Sequence, residues 1–147
     1  MAFVDELKDM ARGRLVAVAE DAPLIEVARR LHAGTDIVVV CAPSGALVGI
    51  LTKTDLVAHF VTAAGLEGPV GAALVARTEV VTCRLDDELH AVWRLMQSRD
   101  LKNIPIVDPA DRPIGILNAR DALMTLLLDT EIEERLLRDY VMGLGYR

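Results

Sequence analysis

The sequence predicts an α/β fold in which one strand–helix–strand–strand–helix unit occurs twice. Three observations predict it: an internal repeat, short apolar runs that alternate with amphipathic stretches, and an aliphatic composition. Hydrophobic residues make up 52% of the 147 residues, but aromatic residues only 3%. The core must therefore be built mainly from Ala, Val, Leu and Ile, and this supply is ample for a packed interior and excludes a disordered chain.

An internal repeat appears when the chain is aligned with itself, and it divides most of the sequence into two copies of a unit of about 60 residues. The second copy carries a one-residue insertion shortly before residue 104. Identical pairs include Ala11-Arg12 with Ala76-Arg77, Gly49-Ile50-Leu51 with Gly115-Ile116-Leu117, and Asp55 with Asp121. We expect four parts: a helical lead-in (1–10), a first repeat (11–66), a second repeat (67–128) and a C-terminal helical extension (129–147).

Each copy shows the same succession of patterns. Continuous apolar runs predict strands that are covered by helices, and apolar residues at i, i+3, i+4 and i+7 predict amphipathic helices. The first copy is expected to have strands at 15–18, 37–41 and 46–51 and helices at 24–31 and about 55–63. The second copy is expected to have strands at 80–83, 104–107 and 113–117 and helices at 89–96 and 121–128.

The two flanks also have helical patterns. Residues 1–10 are expected to form a short amphipathic helix that leads into the first copy. In 129–147, apolar residues at four-residue spacing stand among charges until Gly143 and Gly145. This second helix either folds back on its own domain or packs across a dimer, and the pattern leaves both arrangements open.

Charge and composition exclude several classes of partner. With 16 basic and 22 acidic residues the net charge is −6, which argues against duplex nucleic acid, and the scarcity of aromatic rings argues against single strands. The longest apolar run, 37–42, is far shorter than the roughly 20 residues of a membrane span. Because no signal-peptide pattern is seen at the start, we expect a cytoplasmic protein with neither a nucleic-acid nor a membrane partner.

The residues that usually carry catalysis or bind metals are sparse. Neither the two cysteines nor the three histidines have the spacing of a zinc site, so no metal is expected. Cys41 and Cys83 lie in apolar runs and are interpreted as buried, inert thiols, with a disulfide or a redox role as the alternative. Because no nucleophile–base pair and no phosphate-cradling Gly-rich loop stands out, we expect a protein that is not an enzyme.

One short motif occurs in both copies, at the point where the last strand gives way to a helix. Thr52 stands three residues before Asp55, and Asn118 stands three residues before Asp121. A helix start offers free N–H groups that suit phosphate, and an adjacent carboxylate can accept hydrogen bonds from the paired hydroxyls of a ribose. The same spacing is that of a capping box. The motif alone leaves a ligand site and a helix cap as alternatives.

The ordered set of motifs resembles a tandem pair of CBS domains, the module named after cystathionine β-synthase. The resemblance covers about 7–128 and lies in no single element but in the order of elements, which occurs twice. It is carried by Leu7-Lys8-Asp9-Met10, the helical segments 18–31 and 86–96, the strand Ile104-Pro105-Ile106-Val107-Asp108, and the segments Gly49–Asp55 and Gly115–Asp121. It implies two repeats packed with pseudo-two-fold symmetry into one module, with two clefts between them.

The resemblance also implies a function and a set of site residues. In many CBS pairs the clefts bind AMP, ADP, ATP or S-adenosylmethionine. We therefore expect a regulatory module, as a homodimer, that binds such a ligand and signals to a protein partner. The ribose carboxylates map onto Asp55 and Asp121, the preceding polar residues onto Thr52 and Asn118, and the phosphate positions onto Thr54 and Arg120. The base pocket maps onto Ile37 and Val38 and onto Lys102, Asn103 and Ile104, and the loops at Arg12 and Arg77 would edge the opposite clefts.

The sequence departs from the family pattern mainly in the first copy, where Val39 replaces the usual proline, and at Asn118, which replaces Thr or Ser. Since Lys102 and Arg120 both map beside Asp121, we expect a phosphorylated ligand to prefer the Asp121 cleft. The alternative function is a dimeric interaction scaffold that binds no small molecule.

Overall fold

The first repeat forms a three-stranded sheet with helices packed against it. The computed structural model describes residues 1–62 and 71–143. Strand β1 (Ala17–Ala19) is parallel to β2 (Ile37–Cys41), and β2 pairs with β3 (Leu47–Thr52) in the antiparallel sense. The sheet order is β1-β2-β3. A short 3-10 turn (Val4–Leu7) and α1 (Lys8–Gly13) precede the sheet, α2 (Leu24–His32) connects β1 to β2, and α3 (Lys53–Thr62) follows β3.

The second repeat has the same order of elements with one difference. It contains α4 (Ala72–Val75), α5 (Leu89–Ser98), β4 (Asn103–Val107), β5 (Pro113–Asn118) and α6 (Ala119–Gly143), and β4 and β5 are antiparallel. The prediction of a strand at 80–83 is wrong, because only one residue of this segment pairs with a strand. Its last residue, Cys83, makes a single parallel bridge to Ile106, with hydrogen bonds to the backbone of Pro105 and Val107.

The apolar spacing identified the buried faces correctly. Leu24, Val27 and Leu31 on α2 are at most 1% exposed, so the helix turns this face to the sheet. In α5 the buried residues recur at the same spacing, as Leu89, Val92 and Met96. Ile37 to Val40 of β2 are all buried, as a strand covered on both faces requires.

The two repeats exchange their opening segments. Val4, Leu7 and Ala11 are buried in the core of the second repeat, while Ala72 is buried in the core of the first. The backbone reinforces this exchange, since Val4 N–H donates to the Asp87 carbonyl and Leu89 N–H donates to the Ala2 carbonyl. Residues 1–10 thus precede the first repeat along the chain, while their buried apolar residues complete the core of the second repeat.

Two glycines permit this exchange. A Cβ on Gly49 would lie 2.6 Å from the Arg77 carbonyl oxygen, and a Cβ on Gly115 would lie 2.9 Å from both the Cβ and the carbonyl carbon of Ala11. Each opening segment thus lies against a glycine in the last strand of the other repeat. A third cluster, of Ile37, Val39, Ile50 and Ile116, joins the two sheets.

Helix α6 is longer than predicted. The closing helix at 121–128 and the extension at 129–147 were expected to be separate, but one helix of 25 residues runs from Ala119 to Gly143. Because the stretch contains no proline and no glycine before Gly143, nothing ends the helix earlier. Residues 144–147 and the predicted repeat boundary at 66 and 67 lie outside the described residues.

Candidate functional site

At the start of α3, Thr52 and Asp55 form a capping box. The Asp55 Oδ2 atom accepts from the Thr52 N–H at 2.8 Å and from the Thr52 hydroxyl at 2.9 Å. The Asp55 N–H in turn donates to Thr52 Oγ1 at 3.4 Å. The helix cap, one of the two interpretations of the motif, is therefore present, and it holds the Asp55 carboxylate in a fixed orientation.

At the start of α6, Asn118 replaces this reciprocal box with a different cap. Its Oδ1 atom accepts from the N–H groups of Arg120 and Asp121, at 3.0 and 3.1 Å. Its amide nitrogen donates to Asn103 Oδ1 at 2.9 Å, which ties the end of β5 to the start of β4. The Asp121 carboxylate makes no hydrogen bond to Asn118 and is oriented by another group.

An arginine from the opposite repeat's opening segment pairs with each carboxylate. Arg77 Nε lies 3.0 Å from Asp55 Oδ1 and 3.3 Å from Oδ2. Arg14 makes a bidentate pair with Asp121, with Nε 2.6 Å from Oδ2 and NH2 3.0 Å from Oδ1. The hydrogen bond to Asp121 is the main cause that raises the pKa of Arg14. Each of the two motif carboxylates is thus paired with an arginine of the other repeat.

The pairing with Asp121 is made by Arg14 and not by Arg12. Arg12, the residue that aligns with Arg77, is exposed on α1. The cause is local: Ala76 is extended after the short α4, whereas Ala11 is inside α1. A helical residue advances the chain by about 1.5 Å, compared with about 3.3 Å in an extended segment, so the arginine that reaches the carboxylate comes later in the chain.

One cavity lies beside the start of α3, and we call it the Arg77 cavity. It has a volume of about 480 Å³, which is within the range of small-molecule sites. The walls combine the first repeat's strand ends with the segment that enters β4 of the second repeat. The lining residues are Asp36, Ile37, Ile50, Thr52, Lys53, Thr54, Arg77, Asp100, Leu101, Lys102, Asn103 and Asn118.

A second cavity lies at the corresponding place for the other opening segment, and we call it the Arg14 cavity. Its volume is about 300 Å³. Here the segment that enters β2 of the first repeat meets β4 and β5 of the second. The lining residues are Gly13, Arg14, Val16, Gly34, Thr35, Asp36, Ile37, Asn103 and Ile116.

The cavities bring together part of the predicted site. Ile37 and Asn103 line both cavities, and Thr52, Thr54, Lys102 and Asn118 line the Arg77 cavity. Val38 and Ile104 are fully buried in the cores of the two repeats and line neither cavity. Asp55 and Asp121 are in neither lining, but each is paired with an arginine that lines one of the cavities.

Charged residues are divided unequally between the two cavities. Lys53, Arg77 and Lys102 line the Arg77 cavity together with Asp36 and Asp100, whereas Arg14 and Asp36 are the charged residues of the Arg14 cavity. Lys102, which was expected beside Asp121, thus also contributes to the Arg77 cavity. The lining of this cavity has one cation in excess, whereas that of the Arg14 cavity is balanced.

Arg120 is exposed at the start of α6 and contributes to a third, open cavity of about 320 Å³. Lys102, Gln97 and Trp93 share its lining. The predicted basic pair of Lys102 and Arg120 is thus brought together at a surface beside Trp93, and of these two residues Lys102 also lines the Arg77 cavity.

A scan against protein-family models matches the CBS domain twice, over residues 4–62 and 70–128. The chain belongs to the CBS-domain family. The two matches agree with the two repeats of the structure, and they place the tandem CBS pair on the same segments as the motifs. In the part of the chain that is described, no helix is long and apolar enough to cross a membrane.

Known proteins of similar sequence and structure include several CBS pairs. The CBS-domain containing protein ATU1752 from Agrobacterium tumefaciens is 28% identical with a TM-score of 0.70, covering 84% of this chain and 98% of that chain. The cytosolic domain of the Mg2+ channel MgtE in complex with ATP is 29% identical with a TM-score of 0.63, covering 78% of this chain and 45% of that chain.

Two further similar proteins differ in identity and in the share of each chain that is covered. CBSX2 in complex with AMP has a TM-score of 0.74 and covers 88% of this chain and 99% of that chain, but at 18% identity it shows the fold alone. The uncharacterized protein MK0525 of Methanopyrus kandleri is 27% identical over 116 residues, which is 78% of this chain. The chain spans 59% of the length of that relative and 45% of the MgtE domain.

Several residues of the cavities escaped the sequence reasoning. Arg14 has no equivalent in the repeat alignment, because the aligned residue in the second copy is Glu79. Asp36 and Asp100 stand in the loops that enter β2 and β4 and were not singled out. A signal for both was available, since Asp36 directly precedes one predicted middle strand and Asp100 stands four residues before the other, at the edge of the expected cleft.

Proposed function

We propose that this CBS pair is a regulatory module that binds a phosphorylated adenosine ligand in the Arg77 cavity. The observation that carries the proposal is the set of groups at this cavity: an oriented carboxylate next to it, two threonines at the start of α3, and three cations in its lining. A carboxylate suits the paired hydroxyls of a ribose, and cations beside a helix start suit phosphate.

The remaining wall suits a purine ring. Ile37 and Ile50 give the cavity an aliphatic surface, so an adenine would be held by apolar contact and not by stacking on an aromatic ring. The ATP complex of the MgtE cytosolic domain, at 29% identity, supports a nucleotide of this class. The ligand would act as a regulator, by binding two arrangements of the module with different affinity, and the proposal contains no catalytic step.

Isothermal titration calorimetry with AMP, ADP, ATP and S-adenosylmethionine tests this function. We expect saturable binding of at least one nucleotide and weaker binding of S-adenosylmethionine, because its sulfonium cation would meet Lys53, Arg77 and Lys102. If the protein binds none of the four, the proposal is wrong. If it binds S-adenosylmethionine most tightly, the assignment of the cations to phosphate is wrong.

A second candidate function, a dimeric interaction scaffold, is favoured by exposed apolar side chains on the closing helices. Val57, Phe60 and Val61 of α3 are 62%, 61% and 77% exposed. Met124, Leu127 and Leu128 of α6, the closing helix of the other repeat, are 54%, 44% and 63% exposed. Since each repeat presents such a patch, we propose that a second copy of the chain covers both in a two-fold dimer. The dimer is compatible with ligand binding.

A further inference from the structure

Both carboxylates assigned to ribose recognition are already bound to groups of the chain itself. Asp55 Oδ2 accepts from the Thr52 N–H, the Thr52 hydroxyl and Arg77 Nε, and the same Nε lies 3.0 Å from Oδ1. Its side chain is 14% exposed, whereas that of Arg77 is 52% exposed. Because Arg77 Nε lies within 3.3 Å of both carboxylate oxygens, a ribose that bridges the two oxygens with its paired hydroxyls must displace the guanidinium.

The surroundings determine what the departing guanidinium meets. Arg77 lines the same cavity as Lys53, Lys102, Asp36 and Asp100, so a guanidinium that leaves Asp55 joins a lining in which three cations outnumber two carboxylates. A neutral nucleoside would break the ion pair and supply no replacement. A nucleotide brings an anion, and planar guanidinium groups bind phosphate oxygens through two parallel hydrogen bonds.

We propose that Arg77 makes the Arg77 cavity selective for phosphorylated ligands by exchanging the Asp55 carboxylate for the ligand's phosphate. The inference rests on the proposed function and adds to it the residue that separates nucleotides from nucleosides. In this exchange the ribose hydroxyls replace the guanidinium on Asp55, and no covalent bond is made or broken. Because Arg77 belongs to the opening segment of the second repeat, its movement also links occupancy of the cavity to the boundary between the repeats.

Arg14 provides an internal control, because its surroundings differ. It holds Asp121 in a bidentate pair, and the Asp36 carboxylate is close enough to add to the rise in its pKa. Asp36 also lines the Arg14 cavity. In that lining Arg14 is balanced by Asp36, whereas the lining of the Arg77 cavity has one cation in excess, so a guanidinium that leaves Asp121 does not need a ligand anion to compensate it. We assign no phosphate selectivity to Arg14.

Calorimetric titration of AMP and adenosine into the wild-type protein, Arg77→Gln and Arg14→Gln tests the exchange. The wild type should bind AMP more tightly than adenosine. In Arg77→Gln, AMP affinity should fall roughly ten- to hundredfold, the loss of a charge-assisted pair, while adenosine affinity stays the same or rises. Arg14→Gln should keep the wild-type ratio of the two affinities. Thermal melts of all variants establish that they are folded.

The outcomes separate the exchange from the proposed function. Wild-type binding with an unchanged AMP-to-adenosine ratio in Arg77→Gln would refute the exchange and leave the nucleotide site standing. An equal loss of affinity for AMP and for adenosine would assign Arg77 a purely structural role and would also refute the exchange. If the wild type binds neither ligand, both proposals fall. Should Arg77→Gln not fold, Arg77→Lys keeps the charge but loses the paired donors, and a reduced ratio is again required.

Discussion

At the scale of single residues, Asp55 combines a structural role with the proposed binding role. Its hydrogen bonds to Thr52 orient the carboxylate, and its ion pair with Arg77 keeps the charge compensated at a side chain that is 14% exposed. A carboxylate that is already oriented requires no reordering when a ribose binds, which lowers the entropic cost of binding. The capping box and the ligand site, which the motif leaves as alternatives, are therefore compatible uses of one side chain.

The sequence pattern located these residues only in part, for reasons that lie in local geometry. Thr52, Thr54 and Asn118 were expected at the site and line the Arg77 cavity. Arg14 was missed because α1 continues past the residue that aligns with Arg77, and repeat alignment does not register a change from extended to helical backbone. Lys102 and Asn118, both expected beside Asp121, line the Arg77 cavity as well as the open cavity that contains Arg120.

The thiols provide a prediction that is independent of any ligand. Burial, with the Asp87 charge as a further cause, raises the pKa of Cys83 to about 12, and burial also raises the pKa of the half-buried Cys41. Because the thiolate is the reactive form, native protein treated with a disulfide reagent at pH 8 should leave Cys83 unmodified until denaturant is added. Reaction of native Cys41→Ser at the rate of a free thiol would contradict this burial.

At the scale of elements, the middle strands and amphipathic helices were predicted within a residue or two, because their apolar spacing reports burial directly. The strand predicted at 80–83 did not form: Val81 and Cys83 pack in the second core and Val80 on the cluster between the sheets, and Cys83 alone bridges to β4. The break expected near 129 failed because α6 lacks any residue that would end it. The apolar pattern of a short segment thus predicts that the segment is buried, but not which part of the fold covers it.

The glycines of β3 and β5 test the contacts between elements. Gly49→Ala and Gly115→Ala would each place a methyl group within 3 Å of backbone atoms of the opposite opening segment. We expect each to lower the free energy of unfolding by about 1–3 kcal/mol, the usual cost of overpacking. Urea denaturation followed by circular dichroism measures it.

Gly13→Ala is the matched control. Gly13 lies on α1, and a Cβ there meets no atom within 4 Å. This variant should be unchanged or about 0.4–1 kcal/mol more stable, because alanine reduces the entropy of the unfolded chain. If Gly49→Ala and Gly115→Ala behave like Gly13→Ala, the opening segments do not pack closely on these strands.

At the scale of the whole molecule, the exchange of opening segments makes each repeat depend on the other. Val4 and Leu7 complete the second core and Ala72 the first, so neither repeat buries its apolar surface alone. The repeat in the sequence predicted two similar units, but it could not predict this exchange, because a segment's position along the chain does not show which core it enters. The cavities lie where the exchanged segments meet the strand ends.

Self-association is the prediction at this scale. We expect light scattering after size-exclusion chromatography to give twice the chain mass of 16.0 kDa. Val61→Glu, which puts a charge on the exposed patch of α3, should shift the protein towards the monomer. Ile25→Glu, a similar change at an exposed position of α2, should leave the dimer intact. A monomeric wild type, or equal effects of the two variants, would contradict the proposed interface.

Measurement of AMP and ATP affinity in Asp55→Asn and Asp121→Asn tests whether the nucleotide binds at the Arg77 cavity. Both replacements keep the size of the side chain, and asparagine can still accept hydrogen bonds, so the helix starts should persist. We expect Asp55→Asn to weaken the binding of the tighter nucleotide by at least about tenfold, the equivalent of one charged hydrogen bond, and Asp121→Asn to bind it like the wild type. Loss of affinity in Asp121→Asn alone would place the nucleotide in the other cleft and refute binding at the Arg77 cavity.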